Sequence, residues 1–227
     1  MEIVLVRHGE PAWVIDGLNI DHPTLTDRGR RQADSAAAVL AKEHFDEVMT
    51  SPLHRARETA QPLFERLGRD ETVEDWLSEI RGPVWQGLPR EHADNAFEAE
   101  RRRPSHERWH GLAEMGGEAN RDFIERIRAG CAGFLAERGI ERVPGPLPVW
   151  HIGNPGQRIC LVAHAGTNSC VVSYLLGLEP TPWDWDRFVL GHASITRLRA
   201  LELGDGHTFA LTRLSDVEHL ALEDRTI

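Results

Sequence analysis

Two histidines occur in closely similar contexts. Each follows an apolar stretch, and a glycine comes either directly after it or one small residue later. Residues 4–9 read Val-Leu-Val-Arg-His-Gly, and residues 161–166 read Leu-Val-Ala-His-Ala-Gly. Short apolar runs of this kind are typical of strands buried on both faces. If the two strands are neighbours, His8 and His164 meet at the carboxyl edge of a sheet, where open α/β sheets bind ligands. Paired imidazoles there could attack a bound group or donate hydrogen bonds to it.

A single histidine at a strand end is more often a structural residue whose nitrogens are hydrogen-bonded within the protein. The matched contexts of His8 and His164 favour a functional pair instead. The glycines that follow, Gly9 and Gly166, would let a ligand approach the backbone closely. The sequence therefore predicts a site at this edge of the sheet.

The charge balance limits the partners of such a site. The 227 residues include 36 acidic and 26 basic side chains, a net charge of −10. A field of this sign repels polyanions, so we expect no nucleic-acid partner. Every basic residue except Lys42 is arginine, and the guanidinium group suits carboxylate and phosphate ligands.

Other features indicate the compartment. The three cysteines are an odd number without metal-ligand spacing, so we expect neither a disulfide framework nor a zinc site. No run of about 18 apolar residues is present, and the first residues lack the character of a signal peptide. We expect a cytoplasmic protein that does not bind membranes.

The elements that must position the histidines alternate between strands and helices. Strands are predicted at 3–6, 45–50 and 71–76, and helices at 27–42, after the capping residue Thr26, and at 52–67. This order indicates a parallel sheet with right-handed crossovers. Further predictions are a helix at 122–136, a strand at 158–163, a helix at 168–176, and a closing strand pair at 194–201 and 208–214.

Two segments interrupt this pattern. Residues 82–117 are rich in Trp, His, Arg and Glu and are interpreted as an inserted helical lid or subdomain. Residues 143–157 contain four prolines and three glycines, a composition typical of a loop. With these two segments included, we expect one domain over residues 1–227.

Several ordered motifs resemble the histidine phosphatase superfamily, which includes cofactor-dependent phosphoglycerate mutases and many small-molecule phosphatases. They are Arg-His-Gly-Glu at 7–10, Leu-Thr at 25–26 with Gly29, the block at 50–60, Leu-Ser-Glu-Ile at 77–80 and His-Ala-Gly at 164–166. The resemblance implies a phosphoglycerate mutase-like, three-layer α/β/α fold with a mostly parallel central sheet. The insert at 82–117 and the loop at 143–157 are not matched.

The resemblance also implies roles for individual residues. His8 would attack phosphorus and form a phosphohistidine, which divides one difficult displacement into two. Phosphate would be bound by the side chains of Arg7, His8, Arg55 and His164 and by the backbone at Ala165. Glu79 would protonate the leaving oxygen and then activate water. In such a transition state charge spreads over the phosphoryl oxygens, so the reaction would need no metal and no cofactor.

Substrate specificity is harder to assign from the sequence. A lid could cover a ring-bearing or apolar leaving group, although a charge run is usually a solvated surface and Trp is usually core. Family members commonly have Asn where this chain has Val14, so one phosphate hydrogen bond is not expected. The Arg-x-x-Gly that usually precedes the Leu-Thr pair is also missing, and Asn19 or His22 could compensate for it. The candidate specificity residues are Trp13, Asn19, His22, Trp85, Arg103 and Trp109.

These observations predict a metal-independent phosphatase that hydrolyses a small phosphorylated metabolite. Mutase-specific features, such as Asn after Trp13, are missing, which favours hydrolysis over mutase action. A phosphoglycerate mutase and a non-catalytic phosphate-binding protein of the same fold remain alternatives. The identity of the substrate stays undetermined, and a homodimer is left open.

Overall fold

A computed structural model describes all residues of the chain, 1–227. Its strands are β1 Glu2–Arg7, β2 Val14–Ile15, β3 Leu18–Asn19, β4 Glu47–Thr50, β5 Ile140–Arg142, β6 Trp150–Ile152, β7 Arg158–Ala163, β8 Ile195–Leu203 and β9 Gly206–Asp216. Its α-helices are α1 Asp27–Leu40, α2 His54–Leu67, α3 Arg90–Arg102, α4 Asn120–Ala136, α5 Ala165–Leu175 and α6 Asp184–Arg187. No helix has the length and apolar character needed to cross a membrane.

Seven strands form one sheet in the order β4-β7-β1-β8-β9-β6-β5. Only β4, β7 and β1 pair in parallel, and the pairs from β1–β8 to β6–β5 are antiparallel. The expected mostly parallel sheet is therefore wrong, although its parallel core is present. The added strands β8–β9 and β5–β6 are hairpins, and such direct connections place strands antiparallel.

Helices cover both faces of this sheet. Because side chains alternate along a strand, Ile3 and Leu5 of β1 join a core cluster with residues of α4 and α5. Val4 and Val6 join a second cluster with residues of α1 and α2 on the opposite face. The alternation produces a helix–sheet–helix arrangement with two apolar cores.

Two predicted segments differ from the structure. Residues 71–76 form no strand, because only Val73 makes a bridge, to Thr50 of β4, and a 3-10 turn at Asp75–Leu77 follows at once. The segment 143–157 is not entirely loop, because it contains β6. Trp150 of β6 is 1% exposed and packs edge-on against Phe209 of β9. The free energy gained by burying this large ring outweighs the preference of the nearby prolines and glycines for turns.

The insert at 82–117 is helical and lies against the β2–β3 hairpin. It contains α3 and two 3-10 turns, Arg108–His110 and Ala113–Met115. The buried Asn19 side chain on β3 donates to the carbonyls of Leu88 and Pro89. The hairpin therefore holds the residues of the insert that directly precede α3.

Candidate active site

The two histidines of matched context meet at the carboxyl edge of the parallel strands. β1 and β7 are parallel neighbours in register, and the His8 backbone N–H donates to Ala163 O at 2.9 Å. The imidazole centroids of His8 and His164 lie 5.1 Å apart. Both rings are buried, at 4% and 0% exposure. The expected pairing of the imidazoles is therefore present.

Hydrogen bonds determine which nitrogen of His8 carries the proton. Arg55 Nε–H lies 3.3 Å from His8 Nε2, and a guanidinium can only donate, so Nε2 accepts. Nδ1 then carries the proton and donates to Gly9 O at 2.8 Å. Burial, together with the charges of Arg55 and Arg7, holds the pKa of His8 well below its ordinary value. The ring is neutral with its free electron pair on Nε2, the form that a nucleophile needs.

Arg55 is delivered by the first turn of α2. Its backbone oxygen accepts a hydrogen bond from Thr59 Oγ1, and that hydroxyl oxygen accepts one from the Gly9 N–H. The guanidinium carbon lies 4.8 Å from the centre of the Trp13 ring, a cation–π contact. Burial lowers the pKa of Arg55 to about 10, which leaves the group charged at neutral pH.

Arg7 is held from the other side, at the end of β1. Its Nη1 donates to Leu190 O, and its Nη2 donates to Nε2 of His192 at 2.9 Å. Burial lowers the pKa of Arg7 to about 10, and the charge of Glu79 opposes that shift. Two cationic guanidiniums therefore lie close to the His8 imidazole.

His164 lies directly before α5, which begins at Ala165. Its Nε2 lies 2.7 Å from Ser51 Oγ, whereas its buried Nδ1 has no hydrogen-bond partner in the protein. Burial and the charge of Arg55 hold the pKa of His164 well below its ordinary value. The amino end of α5 adds backbone N–H groups and a positive dipole end, both suited to an anion.

Glu79 is fixed against the same helix start. Its Oε2 accepts from the Gly166 N–H and its Oε1 from the Ile80 N–H, both at 2.9 Å. A side chain at Gly166 would meet the carboxylate, since an added Cβ would lie 2.5 Å from Glu79 Oε1. The charge of Glu79 partly opposes the lowering of the pKa of Arg55 by burial. The carboxylate is therefore near both arginines and is held by backbone donors.

The six candidate specificity residues are placed differently from one another. Trp13 contacts Arg55 and is 44% exposed. Asn19 is occupied by its bonds to the insert, and His22 is exposed. The remaining three lie in the insert. Trp85 packs against Phe97, and Arg103 pairs with Glu100 and Glu114, all within the insert. Trp109 packs against the hydrophobic core and against Arg121. Trp13 alone of the six contacts an arginine of the site.

Sequence reasoning missed two residues of the site. His192 contacts Arg7, and its ring centre lies 5.8 Å from that of His8. Ser51 contacts His164. A signal existed for His192, because it lies two residues before the strand predicted at 194–201, which brings a third histidine to a strand end.

The arrangement suits a tetrahedral anion. Arg55 contacts the free electron pair of His8, the charge of Arg7 also acts on His8, and the His164 ring lies beside it. His164 directly precedes α5, and Glu79 accepts from the Gly166 N–H in the first turn of that helix. No group of three or more His, Cys, Asp or Glu side chains is placed to hold a metal ion. The three cysteines are buried and unpaired.

Comparison with known proteins identifies the family. The family model for the histidine phosphatase superfamily, branch 1, matches residues 3–216. The chain belongs to the histidine phosphatase superfamily. This range includes Arg7, His8, Arg55, Glu79 and His164 and spans the insert.

Relatives within this superfamily carry both phosphatase and mutase names. Phosphoserine phosphatase 1 of Hydrogenobacter thermophilus is 32% identical over 139 residues, which are 60% of this chain and 64% of that protein. The 2,3-bisphosphoglycerate-dependent phosphoglycerate mutase of Azorhizobium caulinodans is 35% identical over 185 residues, 78% of this chain and 82% of that protein. The solved structure of mycobacterial glucosyl-3-phosphoglycerate phosphatase superposes with a TM-score of 0.68 at 28% identity, covering 94% of this chain and 98% of that one. The phosphatase names support the predicted class of phosphoric monoester hydrolase.

Proposed function

We propose that the protein is a metal-independent phosphatase that hydrolyses a small-molecule phosphate monoester through a phosphohistidine at His8. The observation that carries this proposal is the hydrogen-bond pattern of His8. Nδ1–H is committed to Gly9 O and Nε2 accepts only from Arg55, 3.3 Å away. A phosphoryl group could replace that long bond, with the arginine then donating to a phosphoryl oxygen.

In the first step, His8 Nε2 attacks phosphorus and the bond from phosphorus to the ester oxygen breaks. The leaving oxygen takes a proton from the Glu79 carboxyl group. Arg7, Arg55 and His164 hold the three phosphoryl oxygens as their charge is redistributed, with the Ala165 N–H at the helix start as a further donor. Positioned donors of this kind are the main source of rate enhancement in phosphoryl transfer.

In the second step, water attacks the phosphohistidine and transfers a proton to the Glu79 carboxylate. The bond from phosphorus to Nε2 breaks, which returns the electron pair to His8 and releases inorganic phosphate. Fixing Glu79 by two backbone N–H groups keeps the carboxyl in reach of both the leaving oxygen and the water. One carboxyl group therefore serves as acid and then as base.

The substrate class follows from charge and access. A net charge of −10 disfavours large polyanions, while the arginine pair favours one phosphate group at short range. Trp13, half-exposed on Arg55, offers an apolar face next to the bound phosphate. We expect a small ester whose leaving group has an apolar or ring-shaped face, with the insert at 82–117 acting as its lid.

Hydrolysis of p-nitrophenyl phosphate tests the proposal. We expect phosphate release that chelators leave unchanged, that vanadate inhibits competitively, and that His8→Asn abolishes. Full activity of His8→Asn, or loss of activity with a chelator that metal ions restore, would refute it. A panel of phosphorylated metabolites then identifies the preferred leaving group.

Phosphoglycerate mutase activity is the second candidate, favoured by the relative from Azorhizobium caulinodans. A mutase uses the same nucleophile but must protect its phosphohistidine from water. Val14 follows Trp13 in this chain, and mutases characteristically have Asn there. Incubation with 3-phosphoglycerate separates the candidates, because a mutase forms 2-phosphoglycerate whereas a phosphatase acting on it releases phosphate.

A further inference from the structure

His192 lies between the phosphate-binding arginine and the segment 221–227 that follows the last strand. Its Nε2 accepts from Arg7 Nη2 at 2.9 Å, so its proton is on Nδ1. Nδ1 donates to Thr226 Oγ1 at 2.8 Å, and the His192 backbone N–H donates to Thr226 O at 2.9 Å. The imidazole is 6% exposed and has a partner on each ring nitrogen. It is therefore held in one orientation and one protonation state.

A second connection runs from the same threonine to the other side of the nucleophile. Gln32 of α1 is fully buried, and its Nε2 donates to Thr226 Oγ1 at 2.9 Å and to Asp224 O at 2.6 Å. Its Oε1 accepts from the Glu10 N–H at 2.7 Å. The 221–227 segment therefore contacts both flanks of His8, at Arg7 through His192 and at Glu10 through Gln32.

The 221–227 segment is itself held in place by contacts with the rest of the protein, so it can fix the position of His192. Asp224 is 8% exposed and pairs with Arg31 of α1. Leu220, just before the segment, is also buried. Thr226 is therefore held relative to α1 by contacts that do not involve His192.

We infer that His192 is a positioning residue that sets the orientation of the Arg7 guanidinium, and that Thr226 sets His192. Arg7 makes two side-chain hydrogen bonds in the protein, one to Leu190 O and one to His192. Without the second, the guanidinium can rotate about the bond that remains. An arginine binds a phosphoryl group through two parallel hydrogen bonds only when the guanidinium plane is correctly oriented. Rotation of the Arg7 guanidinium would therefore weaken binding of the transition state more than binding of the substrate, because the transition state requires the more exact geometry.

The inference rests on the proposed phosphatase function for its kinetic readout. We expect His192→Phe, which keeps a planar ring and removes both polar contacts, to lower kcat/KM by about 10- to 100-fold. Inhibition by vanadate, a transition-state mimic, should weaken more than inhibition by inorganic phosphate. His192→Gln should recover most of the activity, because an amide can accept from Arg7 and donate to Thr226. His151→Phe, at an exposed histidine of β6, is the matched control and should be unchanged.

Thr226→Val tests the second link. It removes the oxygen that accepts from His192 Nδ1 and from Gln32 Nε2, and Gln32 keeps its bond to Asp224 O. We expect kcat/KM to fall by about 2- to 10-fold, the loss of the neutral hydrogen bond to His192. Because Thr226 acts through His192, the double variant with His192→Phe should match His192→Phe alone within about twofold. Additive losses would show that Thr226 does not act through His192. Thr212→Val, at an exposed threonine of β9, serves as the control for this substitution.

Binding of inorganic phosphate, measured by calorimetry, separates this inference from the proposed function. If the wild type lacks phosphatase activity but binds phosphate, and His192→Phe weakens that binding while His192→Gln does not, the inference stands and the proposed function fails. If the wild type is active and His192→Phe matches it in kcat/KM and in vanadate inhibition, the inference fails alone. If His192→Phe does not fold, the Thr226→Val and His192→Gln variants test the inference instead. A kcat/KM of Thr226→Val equal to that of the wild type would then overturn it.

Discussion

Arg55 Nε donates a hydrogen bond to Nε2 of His8, at 3.3 Å. This contact has two consequences for a nucleophile. It assigns the proton of His8 to Nδ1, and it places a positive charge beside the ring, which adds to burial in lowering the pKa of His8 below its ordinary value. Arg55 therefore helps burial to keep the nucleophile unprotonated before phosphate binds, in addition to its proposed contact with the phosphoryl group.

Arg55→Gln should lower kcat by about 10²–10³-fold, as for loss of one transition-state donor. The same variant should move the acidic limb of the rate profile to higher pH, because removal of the positive charge lets the pKa of His8 rise. Both profiles are measured with one substrate, so its own ionisation cancels. Arg57→Gln is the control, since Arg57 lies on the same helix and pairs with Glu71 at the surface. An acidic limb that stays in place would contradict the electrostatic role.

Gly166→Ala should displace Glu79, because the added Cβ would lie 2.5 Å from its Oε1. Misplacing a catalytic group by about an ångström can cost about 10²-fold in rate, which we expect in kcat. Gly133→Ala is the matched control, since nothing lies within 4 Å of an added Cβ there. That variant, within α4, should keep full activity and gain about 0.5–1 kcal/mol of stability. Equal activities for the two variants would remove Glu79 from the mechanism.

Glu79→Gln should distinguish good leaving groups from poor ones. Nitrophenolate leaves without a proton, whereas an alkoxide needs one from the carboxyl group. We therefore expect the first step, measured in single turnover, to slow by about 10²–10⁴-fold for an alkyl phosphate and much less for p-nitrophenyl phosphate. The same slowing for both substrates would indicate that Glu79 does not act as the acid.

Stability should fall in mild acid, partly because of His192. Burial and the charge of Arg7 lower the pKa of His192 to about 3, from an ordinary value of 6.5. Between these values the unfolded chain binds a proton and the folded protein does not, so stability is lost as the pH falls below 6.5. His192→Gln should reduce the slope of unfolding free energy against pH by about 1.4 kcal/mol per pH unit. Urea denaturation at several pH values between 4 and about 6.5 measures it, and an unchanged slope would contradict the assignment.

The parallel core and its two histidines were predictable because the information is local. β1 and β7 are short apolar runs, and each is followed directly by its histidine. Thr26 caps α1 as expected, by accepting from the Gly29 N–H. The antiparallel half of the sheet was not predictable in the same way, since the alternation of β8 and β9 indicates a strand pair but not which neighbour it joins. β8 pairs with β1 in the antiparallel direction, so the parallel part of the sheet ends at β1.

The missed site residues depend on contacts between distant parts of the chain. His192 reaches Arg7 across 185 positions, and Ser51 reaches His164 across 113. Neither spacing has a periodicity that sequence reading could detect, and the position of His192 just before a predicted strand indicates a strand end but not its contact with Arg7. The specificity residues predicted in the insert are a different case. Arg103 forms ion pairs within the insert, and its role in specificity stays a prediction. Residue type alone did not determine where these side chains would point.

Trapping the phosphorylated enzyme tests the central claim most directly. Rapid mixing with p-nitrophenyl phosphate, an alkaline quench that preserves phosphohistidine, and peptide mass spectrometry should place the phosphoryl group on His8. NMR of the trapped enzyme should assign it to Nε2, because Nδ1–H is bound to Gly9 O. His8→Asn should show no label. Turnover without any phosphorylated His8, or a label on His164 or His192, would contradict the account.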